Sequence, residues 1–276
     1  MNASPDASTI DIFFIGVGKC GTSWIYKYLS RRGDVGVPSI KEPYILNHPP
    51  EKYAEKIAEV YDERRPRCDF SNVYYWDQTI PEKIARHNPN AKIVLTVRKP
   101  SKRVSSHFAF LQRNGEYTGM DLVEYLNSGD PDELVGRSDY QDILIRYSKH
   151  VPAENIVVLP LELLSTDVQR YADTLTEFLG IERREVAAED TEKVLGRSKA
   201  RSPLLSRTGK RVAEQLRGAG HLKVLSQLKE SEAVRKVLFS TDDQPTASLD
   251  SALLPAHLRS LDDQYPAFLE KAGAAL

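Results

Sequence analysis

Three glycines, a lysine and two hydroxyl residues fall within nine positions near the start of the chain, Gly16-Val17-Gly18-Lys19-Cys20-Gly21-Thr22-Ser23-Trp24. They follow the apolar run Ile10-Asp11-Ile12-Phe13-Phe14-Ile15. A strand that turns through glycines into a helix is built to bind phosphate. Glycines let the backbone approach the anion, and the free N–H groups and dipole of the helix start favour its charge. A nucleotide-kinase loop ends Gly-Lys-Ser/Thr, with its lysine after the last glycine. Here Lys19 stands two residues before Gly21, and Thr22-Ser23 follow that glycine directly. The loop is expected to hold an oxyanion along Lys19, Cys20, Gly21, Thr22, Ser23 and Trp24. Thr22 and Ser23 add hydroxyl donors, or cap the helix.

A second set of anion-binding types lies further on. Arg98 ends the β-branched run Lys92-Ile93-Val94-Leu95-Thr96-Val97, and Ser106 follows eight residues later. A strand-end arginine offers a planar fork suited to phosphate, and a serine about two turns along can converge with it. Between them, Arg103 suits a structural ion pair. Lys199 and Arg201 lie in a late basic stretch, ordinarily a solvated face. Cys20 and Cys68 are the two cysteines, too few for a disulfide framework or a metal cluster.

The elements that must position these residues alternate. Strands are expected at 11–15, 35–37, 68–71, 92–97 and 155–160. Helices are expected at 22–32, 51–63, 81–87, from 101, at 139–150, 167–179 and 253–272. Alternation of this kind predicts an α/β fold of phosphate-loop type, with a central parallel sheet of about five strands flanked by helices. Its ligands bind beyond the carboxyl ends of the strands, where Gly16, Ser71 and Arg98 fall. Residues 1–9 suit a flexible leader and 10–276 a single domain. Residues 185–245 suit a loop over the site and one or two helices. The 276 residues carry 38 basic and 39 acidic side chains, so no global field for nucleic acid is implied. The start lacks signal-peptide character, and no apolar run is long enough to span a membrane. A cytoplasmic protein without membrane or nucleic-acid partners is expected.

The four segments together resemble the sulfotransferases that use 3′-phosphoadenosine 5′-phosphosulfate. The likeness is nearest to the heparan-sulfate N- and 3-O-sulfotransferase branch, here as a soluble, bacterial-type member. Phe14-Ile15-Gly16-Val17-Gly18-Lys19-Cys20-Gly21-Thr22-Ser23 looks like that family's 5′-phosphosulfate loop. Lys41-Glu42-Pro43 looks like the pair before its acceptor site. Arg98-Lys99-Pro100-Ser101-Lys102-Arg103-Val104-Ser105-Ser106 looks like its 3′-phosphate motif. Leu195-Gly196-Arg197-Ser198-Lys199-Ala200-Arg201 looks like its nucleotide-covering loop, with Ala200 in place of glycine. The branch often carries a lysine near the third strand end, where Asp69-Phe70-Ser71-Asn72 stands here.

The resemblance implies sulfuryl transfer by in-line displacement, without a metal, to a hydroxyl or amine of a small molecule or glycoconjugate. Lys19 would meet the leaving-group charge. Glu42 would take the acceptor's proton, oriented by Lys41, and His107 is the competing base. Arg98, Ser106, Lys199 and Arg201 would hold the nucleotide. Tyr44, His48, Tyr74, Tyr75, Trp76, Phe108 and Phe110 are candidates for the acceptor wall, or for core. The alternatives are a phosphate-loop kinase of a small metabolite and a non-catalytic nucleotide- or glycan-binding module. Self-association as a homo-oligomer is left open.

Overall fold

A computed structural model describes residues 8–130, 133–191, 198–200, 239–241 and 254–274. Arg201 lies outside the described residues, as does most of 185–245. The first strand, β1 (Ile12–Gly16), is buried at every position. It feeds α1 (Thr22–Arg32), whose inward stripe is Trp24, Ile25, Tyr28 and Leu29, the spacing of one helical face. Then come α2 (Tyr53–Val60), β2 (Cys68–Asp69), α3 (Ile80–His87), β3 (Lys92–Val97) and α4 (Pro100–Arg113). The expected 51–63 helix is shorter because Pro50–Lys52 forms a 3₁₀ turn and the chain is extended at Tyr61. Next are α5 (Leu122–Asn127), α6 (Tyr140–Ser148), β4 (Ile156–Pro160), α7 (Leu161–Thr166), α8 (Val168–Leu179) and α9 (Ala188–Thr191). Two short strands, β5 (Ser198–Ala200) and β6 (Phe239–Thr241), pair antiparallel. Helix α10 (Ala256–Lys271) follows Pro255.

The central sheet is parallel throughout, in the order β2-β1-β3-β4. It has four strands among the described residues, not about five. The expected strand at Val35–Val37 makes only one bridge, Gly36 to Arg67, and Pro38 has no N–H with which to extend it. Both faces of the sheet are covered, which is why its strands are continuously apolar. One face, with Phe13, Ile15, Ile93, Leu95 and Val97, packs beneath α2, α3, α6 and α10. The other, with Ile12, Phe14, Val94 and Leu159, packs beneath α1 and α8. Successive residues of β1 thus enter different cores.

The strand order reverses between β1 and β3, so a crevice opens at their carboxyl ends, the place where open α/β sheets bind ligands. The β1–β3 register slips between Phe14 and Gly16, a bulge that re-aims the chain as it leaves the sheet. Gly16 has φ of 116°. A Cβ there would sit 2.7 Å from the Asn72 carbonyl oxygen and 2.8 Å from Tyr75 Cδ1. No other residue fits, and the loop can start only this way.

Candidate active site

The loop after β1 is prepared for an anion. Val17 N–H donates to the Thr96 carbonyl at 2.8 Å, tying the loop to β3. The amides of Gly18, Lys19, Gly21, Thr22 and Ser23 donate to no carbonyl among the described residues. Gly21 is the N-cap of α1 in a left-handed conformation, with no side-chain cap and no acidic residue in the first turn. An anion at this helix start would satisfy the unpaired amides that a cap otherwise serves. The 5′-phosphosulfate end of the implied donor therefore fits the residues present.

Cys20 and Trp24 serve the fold rather than an anion. Cys20 is fully buried, and burial pushes its thiol up to about 12, so it stays neutral. Trp24 gives its amide to the Gly21 carbonyl at 2.9 Å. Its indole N–H goes to the Asp190 carbonyl at 2.7 Å, and its ring stacks on Tyr28 with centroids 5.0 Å apart. Neither donor of Trp24 is left for a ligand.

Lys19 has φ of 73°, and its ammonium lies over the Phe110 ring, 4.6 Å from the centroid. Its pKa is lowered to about 8, first by burial, then by the charges of Arg113, Lys41 and Arg98. Four cations thus surround the loop, and Arg113 is the one sequence reasoning missed. It stands seven residues after Ser106, two helical turns along α4, a spacing that could have flagged it.

The Lys41-Glu42-Pro43 segment folds back onto the start of α1. Lys41 Nζ donates to Ser23 Oγ at 3.0 Å and Thr22 Oγ1 at 3.3 Å. Both hydroxyls act as acceptors there and keep their protons for an incoming oxyanion. Glu42 lies between two donors: Tyr44 Oη donates to Oε2 at 2.7 Å, and Lys41 Nζ is 3.6 Å from Oε1. Glu42 and Tyr44 have φ of 66° and 53°, a left-handed conformation that non-glycine residues adopt only when their surroundings enforce it.

Arg98 follows β3. Tyr140 Oη donates to its carbonyl at 2.6 Å, while its guanidinium has no partner among the described residues. Ser106 lies on α4, partly exposed. Arg103 does not form the ion pair suited to it by sequence. Fully buried, it donates to the Leu134 carbonyl at 2.5 Å and Ser138 Oγ at 2.9 Å, and contacts His107 Nδ1 at 2.9 Å. Arginine cannot accept, so Nδ1 is the acceptor and neutral His107 carries its proton on Nε2. Lys199 lies in β5.

Of the aromatic candidates, Trp76 and Phe110 are exposed, at 37% and 38%. Phe108 packs with Val104 and Tyr125 in a third cluster between α4, α5 and α10. His48 sits among Lys52, Glu55, Lys56 and Glu59 by α2. Arg64, Arg65 and Arg67, a basic turn, are held by Asp62, Asp11 and carbonyls beside the amino ends of the strands. That is the end opposite the crevice.

Fold and site define a phosphate-loop group-transfer protein, its cations gathered at one helix start. The chain matches the sulfotransferase domain family over residues 9–202, and it belongs to that family of enzymes, whose sulfuryl donor is 3′-phosphoadenosine 5′-phosphosulfate. It is similar in fold to a sulfotransferase from Alicyclobacillus acidocaldarius, with TM-score 0.58 and 19% identity over 82% of this chain and 98% of that one. A sulfotransferase domain from the curacin biosynthetic pathway superposes with TM-score 0.53 and 14% identity, over 95% of this chain and 98% of the other. A search of curated protein sequences finds no significant match. No helix among the described residues is long and apolar enough to cross a membrane.

The lowered pKa of Lys19 yields a measurable linkage. The folded value, about 8, lies below the ordinary lysine value of 10.5. Between these values the unfolded chain holds a proton that the folded chain lacks, so this group's contribution to stability rises with pH across that window. An anion at the loop favours the charged lysine. Binding of adenosine 3′,5′-bisphosphate at pH 8–8.5 should therefore take up a fraction of a proton. Calorimetry in buffers of different ionisation enthalpy measures it. The uptake should vanish in Lys19→Ala, and an uptake unchanged there would assign it to another group.

Proposed function

We propose that this chain transfers the sulfuryl group to a hydroxyl of a small molecule or carbohydrate, with Lys19 and Glu42 on opposite sides of the reacting centre. One observation carries this reading. Lys41 ties the Glu42 segment to Thr22 and Ser23, so residues distant in sequence meet at the anion-binding helix start. The donor's 5′ end would be held by the amides from Gly18 to Ser23 and by Lys19. Its 3′-phosphate would be held by Arg98 and Ser106. The donor supplies an activated sulfuryl group. The chain's own work is positioning and charge stabilisation.

In this reading Lys19 meets the charge that grows on the leaving oxygen. Glu42 accepts the proton of the attacking hydroxyl, its carboxylate aimed by Tyr44 and Lys41. His107 is the weaker base, because Arg103 occupies Nδ1. Trp76 and Phe110 are exposed aromatic candidates, each with a cation over one face, Arg137 at 5.0 Å and Lys19 at 4.6 Å from the ring centroids. The two free, buried thiols, Cys20 and Cys68, suit the reducing cytoplasm proposed as its location. Labelled sulfate transfer to a panel of hydroxylated and amine acceptors tests the acceptor class. Transfer confined to amines would overturn the hydroxyl reading.

Arg98 should confer selectivity for the 3′-phosphate. Arg98→Ala should weaken adenosine 3′,5′-bisphosphate by roughly 2–4 kcal/mol, since a charge-assisted contact disappears. Adenosine 5′-monophosphate, lacking that group, should bind nearly unchanged. Equal losses for both ligands in calorimetry would assign Arg98 another task.

A further inference from the structure

Beneath the Glu42 segment lies a carboxyl group that the transfer chemistry leaves unused. Asp69 ends β2 at the crevice side of the sheet and is fully buried. Its Oδ1 accepts the Ser71 amide at 2.7 Å. Its Oδ2 is buried with no partner among the described residues. A buried carboxylate oxygen without a partner is costly and calls for an explanation.

The explanation follows the hydrogen bonds outward. Ser71 Oγ accepts the Tyr44 amide at 2.9 Å. Asp69 holds the Ser71 backbone through the Ser71 amide, and so places the hydroxyl oxygen that meets Tyr44. Tyr44 in turn donates its phenol to Glu42 at 2.7 Å. Asp69 thus supports the Ser71 backbone, Ser71 supports the Tyr44 backbone, and the Tyr44 phenol supports Glu42. These supports enter the segment where the backbone is strained, at Glu42 and Tyr44. One further bond pins the same segment to the region after β2, from Leu46 N–H to Tyr74 Oη at 2.9 Å.

We propose that Asp69 is a positioning residue. It fixes Ser71 through the Ser71 amide and thereby locks the 41–47 segment in the conformation that presents Glu42 to the acceptor. The proposal rests on Glu42 being the base. The groups that face Asp69 are Glu42 from the segment above, Tyr61, Cys68, Ser71 and Tyr74 from its own strand region, and Tyr147 from α6. None is a cation, so no ion pair competes for the carboxyl. Burial first, and the nearby Glu42 charge, push its pKa up to about 7 against the Ser71 hydrogen bonds. The carboxyl thus accepts from Ser71 in either protonation state.

The test uses the full chain in four variants: Asp69→Ala, Ser71→Ala, Asp69→Asn and Glu42→Gln. Amide hydrogen exchange reads the order of segment 41–47 independently of catalysis. Asp69→Ala and Ser71→Ala should speed exchange there at least tenfold, while the β3 amides stay protected. Sulfate transfer to the best acceptor of the panel should fall by about tenfold to a hundredfold in kcat, the cost of a misplaced reacting group. Affinity for adenosine 3′,5′-bisphosphate should stay within about twofold by the same reasoning. Asp69→Asn keeps an acceptor oxygen and should restore both exchange and kcat. In a Glu42→Gln background Asp69→Ala should add little further loss, since the two act through one path. Unchanged exchange across 41–47 in Ser71→Ala overturns the positioning role, and that variant carries the test if Asp69→Ala fails to fold. Normal kcat in Glu42→Gln alone would instead overturn the assignment of the base while leaving the exchange result standing.

Discussion

Lys19→Ala should lower kcat by about a hundredfold or more, the range for removing a preorganised charge donor, while adenosine 3′,5′-bisphosphate affinity changes far less. The asymmetry follows from the charges around the loop. In the free protein Lys19 sits partly buried beside Arg113, Lys41 and Arg98, and its pKa falls to about 8. Keeping it charged there costs free energy, and removing it relieves repulsion among the remaining three cations. The loop amides, Lys41 and Arg98 still hold the ground-state nucleotide. Charge on the leaving oxygen grows only in the transition state, and Lys19 is the lysine on the loop itself. Single-turnover kinetics with labelled donor, alongside calorimetry, measure the two effects separately. The variant should melt no earlier than the parent in the absence of nucleotide, because a partly desolvated charge has gone. A kcat near normal would remove Lys19 from the chemistry. Lys19→Arg should not rescue, since a planar fork is not a compact ammonium.

The sequence shows clearly what depends on local pattern. The limits of α1 at Thr22 and Arg32 follow from the glycines flanking it and the Trp24, Ile25, Tyr28, Leu29 stripe. The β-branched run at 92–97 gives a central strand because both its faces are covered. The anion loop is legible for the same reason: glycine positions and the shifted Lys19 are properties of a short stretch. What requires tertiary structure is not legible. Val35–Val37 has strand composition, but Pro38 and a single partner residue limit it to one bridge. Arg103 suits a structural ion pair by its type and is instead a buried donor to carbonyl and hydroxyl oxygens. Phe108 suits an acceptor wall or core equally by its type and is core, since helical position, not composition, decides which face it takes. Lys41 meets Thr22 and Ser23 across 18 to 19 residues of sequence, and no local pattern encodes that encounter. The burial that gives Asp69 meaning becomes visible only once β2 lies at the sheet edge beneath the Glu42 segment.

Glu42→Gln should cut kcat by about two to four orders of magnitude, the range for losing a positioned general base, with nucleotide affinity preserved. Glutamine keeps the length of the side chain and an oxygen that can accept from Tyr44, so the 2.7 Å contact need not be lost. It cannot take a proton. The variant therefore isolates the chemical role of Glu42 from its part in holding the segment together. His107 supplies the contrast. With Nδ1 engaged by Arg103 at 2.9 Å, its neutral form carries the proton on Nε2 and has no ring lone pair left to take another. His107→Ala should consequently cost far less in kcat than Glu42→Gln. If His107→Ala proves the inactive variant and Glu42→Gln turns over normally, the base is His107. The contact between Lys41 and the start of α1 would then serve donor binding alone.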